Sequence, residues 1–336
     1  MHSLVNDEDG QASSGQPSAV TDATNRLVYA RDMDEVAGSR HQLAREAAAG
    51  LTHRVSHGAY IAAQFWQEMR APDRYLHMVI AAAHTRRTQP VFSFWSAAAI
   101  HGLPILGSWP ERVHISVGAA TGGRSTGQIV RHVAPLRGEE VVEVDGILVT
   151  SVARTVLDMA GLPEQLGAVV VADRALRLDR FERVPPMVSR DDLERAYAAR
   201  QPFRTHARVR AVLDFAVGES DSALESVSRF NMRAVGLPKP TLQQRFDDHL
   251  GLIGWSEFYW PEFALVGEAD GRMKYLDPAY RAGRTLEQVL YDEKVRADRL
   301  RAINLRVSRW DWETGLSAEA LRRHLVAAGL PTGRRW

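Results

Sequence analysis

The stretch Ile253–Lys274, which reads IGWSEFYWPEFALVGEADGRMK, decides how the C-terminal third of the chain is expected to fold. It contains two apolar runs, Ile253–Trp260 and Phe263–Glu268, and the turn signal Asp270-Gly271 follows the second run. Apolar runs of this length, bounded by proline and by an Asp-Gly pair, are typical of buried strands. The segments on either side of this stretch predict the element order helix, strand, strand, strand, helix, strand.

Three acidic residues and one lysine in this third form a candidate metal-dependent nuclease site. Glu225 falls in the predicted helix Asp221–Val235, Glu257 in the first apolar run and Glu268 at the end of the second. Three carboxylates on neighbouring elements suit a hard, oxygen-preferring cation, so Mg²⁺ or Mn²⁺ is the expected cofactor. Lys274 follows the turn, where an ammonium group would orient water or stabilise negative charge on a phosphate.

Lysine usage supports a role for Lys274. The chain has 42 basic residues, of which only Lys239, Lys274 and Lys294 are lysines, and all three lie between positions 239 and 294. Arginine keeps its charge permanently, whereas the pKa of a lysine is shifted readily by its site. Lysine in so arginine-rich a chain therefore indicates a function, and the alternative is an ordinary solvated side chain.

Composition bounds the class of protein. A chain of 336 residues predicts two or three domains, and its 45% apolar and 25% charged residues are those of ordinary globular proteins. The absence of cysteine excludes disulfides and thiolate zinc sites and fits a cytoplasmic protein. No apolar run is long enough for a membrane span, so no membrane partner is expected. The first 25 residues are polar and acidic, which predicts a disordered lead-in.

The segment after this lead-in predicts a DNA-binding unit. Ser39 and Gln42 form a capping-box pattern, and the helix predicted after them ends at Gly50. Two β-like runs then flank His57-Gly58, and a short helix followed by a hairpin is typical of a winged helix that reads double-stranded DNA. The expected DNA contacts are Arg40, Arg45 and Arg54. The region 26–134 carries 12 arginines against 7 acidic residues, which favours phosphate contacts; the alternative is a structural subdomain with solvated arginines.

The middle of the chain predicts a compact α+β domain. The predicted helices are Asp73–Thr88, Ser93–His101 and Val152–Ala160, and the predicted strands are Val113–Val117, Ile129–Val133 and Val141–Val149, the last divided by a turn at Asp145-Gly146. The glycine-rich stretch 121–127 lies between two strands and is interpreted as a flexible hairpin loop. His101 is expected to cap the last carbonyls of its helix. Arg154 and Asp158 are expected to form a structural ion pair, worth about 0.3–0.5 kcal/mol if it is exposed.

Two motifs in this domain resemble those of AbiEi-type antitoxins from type IV toxin–antitoxin systems. The segment Phe94–Pro104 is similar to that family's S-A-A-x-x-H-G-L-P helix, and Val149–Asp158 is similar to its V-T-x-x-x-R-T-x-x-D segment. The N-terminal helix and the wing that ends in Gly58-Ala-Tyr60 are similar to its winged-helix DNA reader. The resemblance covers about residues 26–180. It implies a DNA-binding regulator that represses its own promoter, with a cognate toxin as the partner of such a protein.

Residues 218–330 resemble the restriction-endonuclease-like fold, and in particular the very-short-patch-repair-like domains. The matching segments are Leu224-Glu225, Gly254–Phe258, Glu268–Gly271 and Arg306–Trp310. The resemblance implies a PD-(D/E)xK-like αβββαβ core. Two positions depart from the family pattern, since Glu257 stands where the family has Asp and Asp270 stands where it has Lys. Because small displacements in a metal site are costly to the rate, the departures leave the fold expected and the activity open.

The chain is therefore expected to combine α+β and α/β domains. The predicted division is a lead-in over 1–25, a winged helix over 26–66, an antitoxin-like domain over 67–217 and an endonuclease-like domain over 218–336. The favoured function is a cytoplasmic DNA-binding regulator whose endonuclease-like domain has a degenerate metal site. The alternatives are an active Mg²⁺-dependent DNA endonuclease and a non-catalytic interaction protein. Arg296, Arg299 and Arg301, on the helix after the strands, are further candidates for nucleic-acid contact.

Overall fold

The computed structural model describes residues 18–33, 39–86, 88–118, 125, 127–180, 183–269, 285–333 and 336. Within these residues the fold is a mixed α+β arrangement of thirteen α-helices and three sheets. The helices are α1 (Ala19–Arg26), α2 (Ser39–Ala48), α3 (Ala63–Glu68), α4 (Ala71–His84), α5 (Phe94–Ile100), α6 (Val152–Ala160), α7 (Gln165–Leu176), α8 (Arg190–Arg200), α9 (His206–Phe215), α10 (Ala223–Ala234), α11 (Leu286–Ala302), α12 (Trp312–Leu316) and α13 (Ala318–Ala327). The strands are β1 (Val28–Tyr29), β2 (Thr52–Ser56), β3 (Ala59–Ala62), β4 (Val91–Phe92), β5 (Val113–Val117), β6 (Ile129–Val133), β7 (Val141–Val144), β8 (Ile147–Thr150), β9 (Thr241–Asp248), β10 (Gly251–Trp260), β11 (Leu265–Ala269) and β12 (Arg306–Trp310). None of the helices in these described ranges is both long enough and apolar enough to cross a membrane.

A helix stands where the sequence predicted part of the disordered lead-in. The side chain of Ser18 accepts a hydrogen bond from the Thr21 amide at 3.1 Å and so caps α1. Val20 and Ala23 are buried, and the helix packs against α4. The lead-in prediction is therefore wrong for residues 19–25, because a short apolar face forms a stable helix once α4 offers a surface to cover. Residues 1–17 lie outside the described residues.

The predicted helix and hairpin that follow are confirmed. Gly50 comes after α2 with φ +75°, and Gly58 turns the hairpin with φ +78°, conformations that glycine adopts without strain. β3 pairs with both β1 and β2, so the small antiparallel sheet has the order β1-β3-β2. Val55 and Ile61 share a hydrophobic core with Val79 of α4. This N-terminal unit is therefore packed onto the middle domain.

The middle domain contains a five-stranded sheet of order β6-β5-β4-β8-β7. The turn predicted between β7 and β8 is confirmed, since Asp145 and Gly146 have φ +47° and +79°, as a two-residue type I′ turn requires. The hairpin predicted at 121–127 is wrong, because β5 and β6 pair in parallel and the chain between them must cross over. Most of that glycine-rich stretch lies outside the described residues.

Helices α6 to α9 form a second core beside this sheet, which includes Leu157 and Leu213. Ser151 caps α6, because its hydroxyl accepts a hydrogen bond from the Arg154 amide at 3.2 Å. His101 is the C-cap residue of α5, as predicted, since its amide donates to the Ala97 carbonyl oxygen at 2.9 Å, while its Nε2 lies 2.7 Å from the carbonyl oxygen of Thr150. The imidazole therefore joins the end of α5 to the strand that precedes α6.

The C-terminal domain has the predicted order of elements: α10, β9, β10, β11, α11 and β12. Its sheet has the order β12-β11-β10-β9, with β11 and β12 parallel and the other neighbours antiparallel. Phe258, Trp260 and Trp310 pack with α10 and α13 on one face. Val266 packs with Leu300 of α11 on the other face. The sheet is covered on both sides, which is why β11 is buried at all five positions.

Candidate functional site

Glu225 lies in the first turn of α10 and is only 2% exposed. Ser222 caps this helix by accepting a hydrogen bond from the Glu225 amide at 3.2 Å. The carboxylate oxygen Oε2 of Glu225 accepts hydrogen bonds from the Asp221 amide and from Nε2 of Gln243, both at 3.0 Å. The start of α10 and strand β9 therefore hold the carboxyl group from two sides.

The carboxyl group of Glu225 lies within electrostatic reach of Glu257 on β10. Burial, reinforced by the neighbouring charge of Glu257, raises the pKa of Glu225 to about 8. Ionisation of Glu225 is therefore disfavoured, because it would place two negative charges together in a poorly hydrated site. A cation beside the pair would reverse this preference by stabilising both ionised carboxylates.

Gln243 lies beside the carboxyl pair and donates its side-chain amide to Glu225. Its φ of +49° lies in the left-handed region, which a residue other than glycine occupies at a cost in free energy. Its Oε1 is buried and accepts no hydrogen bond within the described part of the chain. Hard cations prefer carboxylate and amide oxygens as ligands. Glu225, Glu257 and Gln243 are thus the residues that fit a bound Mg²⁺ or Mn²⁺.

Glu268, the third predicted metal ligand, is held by two arginines. Arg296 of α11 donates its Nη1–H to Oε1 of Glu268, and Arg309 of β12 donates its Nε–H to Oε2 at 2.7 Å. Burial by itself would raise the pKa of Glu268, but the two guanidinium groups outweigh burial and keep this pKa below its ordinary value. Glu268 is therefore an ionised carboxylate whose charge the protein already neutralises.

The predicted site residues come to one region of the sheet without forming one cluster. The antiparallel register of β10 and β11 makes Glu257 and Glu268 neighbours. Oε2 of Glu257 accepts a hydrogen bond from the Ala269 amide at 2.5 Å. Across the ranges that the structure describes, no group of three or more acidic or histidine side chains is arranged to hold a metal ion. Lys274 lies outside the described residues.

The roles of the arginines of α11 were not foreseen from the sequence. Arg296 also donates to the carbonyl oxygen of Trp255 at 2.7 Å, and Arg299 donates its Nε–H to Asp248 at 2.8 Å. Their carboxylate partners are 28 and 51 residues away along the chain. Spacing on a helix does not reveal such distant partners. Two of the three candidate nucleic-acid contacts on this helix therefore fasten it to the sheet, while Arg301 pairs with Asp298 one turn earlier.

Two of the three arginines predicted to contact DNA are exposed on the N-terminal unit. Arg45 lies in the last turn of α2, and Arg54 lies on β2. Nη2 of Arg54 is 2.8 Å from Nδ1 of His57 across the hairpin turn. The backbone of Arg40 belongs to α2, and its side chain lies outside the described residues. Arg45 and Arg54 thus face solvent from one continuous helix and hairpin.

The ion pair predicted between Arg154 and Asp158 is buried and belongs to a network. Nε of Arg154 donates to Oδ1 of Asp158 at 2.9 Å, and Nη1 of Arg200 donates to the same oxygen at 2.7 Å. Nη1 of Arg154 also lies 2.9 Å from a carboxylate oxygen of Glu140. The pair therefore ties α6 to α8 and to the turn before β7. The small free energy expected of an exposed pair does not apply.

Comparison with known proteins gives one relationship. No family model matches the chain. Two uncharacterized proteins of Mycobacterium tuberculosis, from two strains, are each 32% identical to it over 142 residues. The aligned part is 42% of this chain and 50% of each relative, so the chain spans about half the length of the curated relatives it matches. The similarity assigns no activity to the chain.

Proposed function

We propose that the chain is a cytoplasmic DNA-binding regulator similar to type IV antitoxins, and that its N-terminal unit binds double-stranded DNA. One observation carries this proposal: α2 leads directly into the β2–β3 hairpin, and Arg45 and Arg54 both face solvent from that segment. A helix followed by a wing suits the major groove and the adjoining phosphates. The resemblance adds a cognate toxin as protein partner and the promoter of its own gene as the DNA site.

The charge distribution supports the same proposal. The net charge of the whole chain is +1, whereas the region 26–134 has five more arginines than acidic residues. A local surplus of this kind attracts the phosphate backbone without making the whole protein basic. The helix would then read bases while exposed arginines around it bind phosphates. Such binding depends steeply on salt concentration.

Duplex binding by the full chain tests the proposal. Replacing Arg40, Arg45 and Arg54 together by Ala should weaken binding at low salt. The slope of log affinity against log salt is negative, and each lost phosphate contact makes it shallower by about 0.9. Three lost contacts therefore make it shallower by about 2.7. The control variant replaces Arg195 of α8 and Arg322 and Arg323 of α13 by Ala, which removes the same number of positive charges elsewhere. Unchanged binding by the first variant would remove the N-terminal unit as the DNA reader.

A metal-dependent DNA endonuclease is the second candidate function. The Glu225–Glu257 pair favours it, because a bound cation would relieve the repulsion that raises the pKa of Glu225. The order of C-terminal elements also agrees with a PD-(D/E)xK-like core. A Mg²⁺ or Mn²⁺ ion held by Glu225, Glu257 and Gln243 would supply Lewis-acid polarisation of a phosphate oxygen. The two arginines on Glu268 oppose efficient activity, so we propose a degenerate site that binds metal weakly.

A further inference from the structure

A cationic cleft of about 540 Å³ opens where α7 ends. Its lining consists of Arg174, Arg177, Asp179, Arg183, Val184, Pro185 and Met187, and these residues define the arginine cleft. The segment 174–183 contains four arginines and two acidic residues. The arginine cleft is therefore a concave surface with a local surplus of positive charge.

Arg174 has a poor hydrogen-bond acceptor inside the arginine cleft. Its Nη1 lies 3.7 Å from the thioether sulfur of Met187, and sulfur of this kind accepts weakly. Burial lowers the pKa of Arg174, and the neighbouring Arg177 lowers it further. Two guanidinium groups are thus close enough to repel in a half-buried place. An anion that enters the cleft would give Arg174 a strong acceptor and would offset the repulsion between the two guanidinium groups.

The arginine cleft is joined to the candidate carboxylate site by a short chain of contacts. Nε of Arg177 donates to Oδ1 of Asp221 at 3.1 Å, and Arg180 donates to the other oxygen of the same carboxylate. The Asp221 amide in turn donates to Glu225 at 3.0 Å. The guanidinium of Arg180 also lies over the ring of Trp255, 5.7 Å from its centroid. A strand seated in the cleft would therefore lie beside the carboxylates.

The backbone holds the arginine cleft in a fixed position. The Leu178 amide donates to the carbonyl oxygen of Gly218 at 2.9 Å, which ties the cleft segment to the residues before α10. A Cβ atom on Gly218 would stand 2.7 Å from the Leu176 carbonyl oxygen, so only glycine allows this approach. The cleft is consequently formed before any ligand arrives, which limits the entropy lost on binding.

We infer that the arginine cleft binds the sugar-phosphate backbone of duplex DNA next to the Glu225–Glu257 pair. The inference rests on the proposed DNA binding and gives the chain a second contact surface, which belongs to the middle domain. Guanidinium groups match phosphate because their planar N–H donors bind two oxygens at once. A free phosphate would meet the same donors, but a continuous backbone would also follow the surface from the cleft towards Trp255.

The salt dependence of duplex binding tests this inference. Replacing Arg174 and Arg177 of the full chain by Ala removes two phosphate contacts. The negative slope of log affinity against log salt should then become shallower by about 1.8. The Arg174→Lys and Arg177→Lys double variant keeps the charge and should restore the slope. Asp221→Asn removes the ion pairs of Arg177 and Arg180 with Asp221 while keeping Arg174 and Arg177, and should not weaken duplex binding. Equal slopes for the Ala variant and the wild type would overturn the inference.

The absence of cysteine from the chain allows a second, independent test. Val184→Cys creates one thiol at the rim of the arginine cleft, where the native side chain is 65% exposed. An iron chelate attached there should cut a bound duplex at a defined position. Val326→Cys, on the exposed side of α13, is the matched control and should cut far less. Equal cutting from both positions, or none from position 184, would count against the cleft.

The outcomes separate this inference from the proposed function. If the wild type fails to bind duplex at low salt, both are wrong. If the wild type binds and the Arg40/Arg45/Arg54 variant binds weakly, while the cleft variants behave as wild type, only the cleft inference is wrong. An RNA duplex of the same sequence that binds more tightly and is cut from position 184 would replace DNA as the partner.

Discussion

Arg229 of α10 donates hydrogen bonds from Nη2 to both carboxylate oxygens of Asp173 on α7, at 3.1 Å to Oδ1 and 2.9 Å to Oδ2. Both side chains are almost fully buried. Nη1 of Arg229 donates to the carbonyl oxygen of Phe215 at 2.8 Å, and its guanidinium lies 3.9 Å from the centroid of the Phe215 ring. The Val217 amide donates to Oδ1 of Asp173 at 2.8 Å. This desolvated ion pair is thus one of the contacts that join the middle and C-terminal domains, together with the pairing of Arg177 and Asp221.

Asp173→Ala should lower the free energy of unfolding by about 3 to 5 kcal/mol, because it leaves Arg229 as a buried charge without its carboxylate. Denaturant unfolding followed by fluorescence measures this loss. The double variant Asp173→Leu and Arg229→Met removes both charges and should recover most of the loss. Asp214→Ala, which breaks the more exposed pair with Arg210, is the control. A loss as small as that of Asp214→Ala would contradict a joining role.

Asp158→Ala should lower the free energy of unfolding by about 1.5 to 3 kcal/mol, because buried Arg154 loses one of its two carboxylate partners and keeps Glu140. Urea unfolding gives the value. Asp298→Ala removes an exposed carboxylate paired with Arg301 and should change stability little. If Asp158→Ala left the unfolding curve intact but abolished DNA binding, the pair would be functional and the structural prediction would fail.

A buried histidine and a half-buried histidine should make the protein sensitive to acid. Nδ1 of His114 lies 2.8 Å from Nε2 of His132 on the neighbouring strand. Burial lowers the pKa of His114 to about 3, with help from His132 and Arg112, and burial also lowers the pKa of His132 although Asp158 opposes this. In the unfolded chain, histidine takes up its proton near pH 6.5, whereas folded His114 does not do so until about pH 3. The stability that the pair contributes is therefore fully present above pH 6.5 and is lost as the pH falls towards 3.

The size of this acid effect is about 1.4 kcal/mol for His114 at pH 5.5, one unit below the unfolded pKa. Urea unfolding at pH 7.5 and 5.5 measures it in the wild type. His114→Gln does not titrate, so its stability should fall less between the two pH values. His249→Gln, at an exposed position, should behave as wild type. Parallel pH profiles for wild type and His114→Gln would contradict the assignment.

Mn²⁺ should raise the melting temperature slightly, because a cation bound to Glu225 and Glu257 stabilises the folded state. The rise in melting temperature should disappear in Glu225→Gln. It should be larger in Arg296→Ala, because Glu268 then loses one of its two guanidinium partners. We expect slow plasmid cleavage or none. Rapid nicking by the wild type but not by Glu268→Ala would show that the endonuclease reading is correct. No effect of metal on stability, together with no cleavage, would leave the domain as a binding or packing module.

Local patterns were enough to predict most elements, because caps and turns act over a few residues. The Asp145-Gly146 turn and the helix after Ser151 are examples, and the order of elements around Glu257 is another. The sequence failed where partners are distant. Nothing near Glu268 indicates that Arg296 and Arg309 bind it, and nothing in two apolar strands separates a parallel pair such as β5–β6 from a hairpin. The burial of Arg154 and Asp158 likewise depends on α8, which supplies Arg200.

The contact between Asp173 and Arg229 has a consequence for how the chain divides. A domain boundary between residues 217 and 218 was predicted. The amide of Val217, at this boundary, donates a hydrogen bond to the Asp173 carboxylate. Because the backbone is held there by a hydrogen bond to a buried side chain, we expect it to resist proteolysis. A fragment that ended at the boundary would keep a carboxylate without its guanidinium, and the complementary fragment would keep the guanidinium alone. Grafting either half onto another protein would therefore require a substitution that removes the buried charge left at this joint.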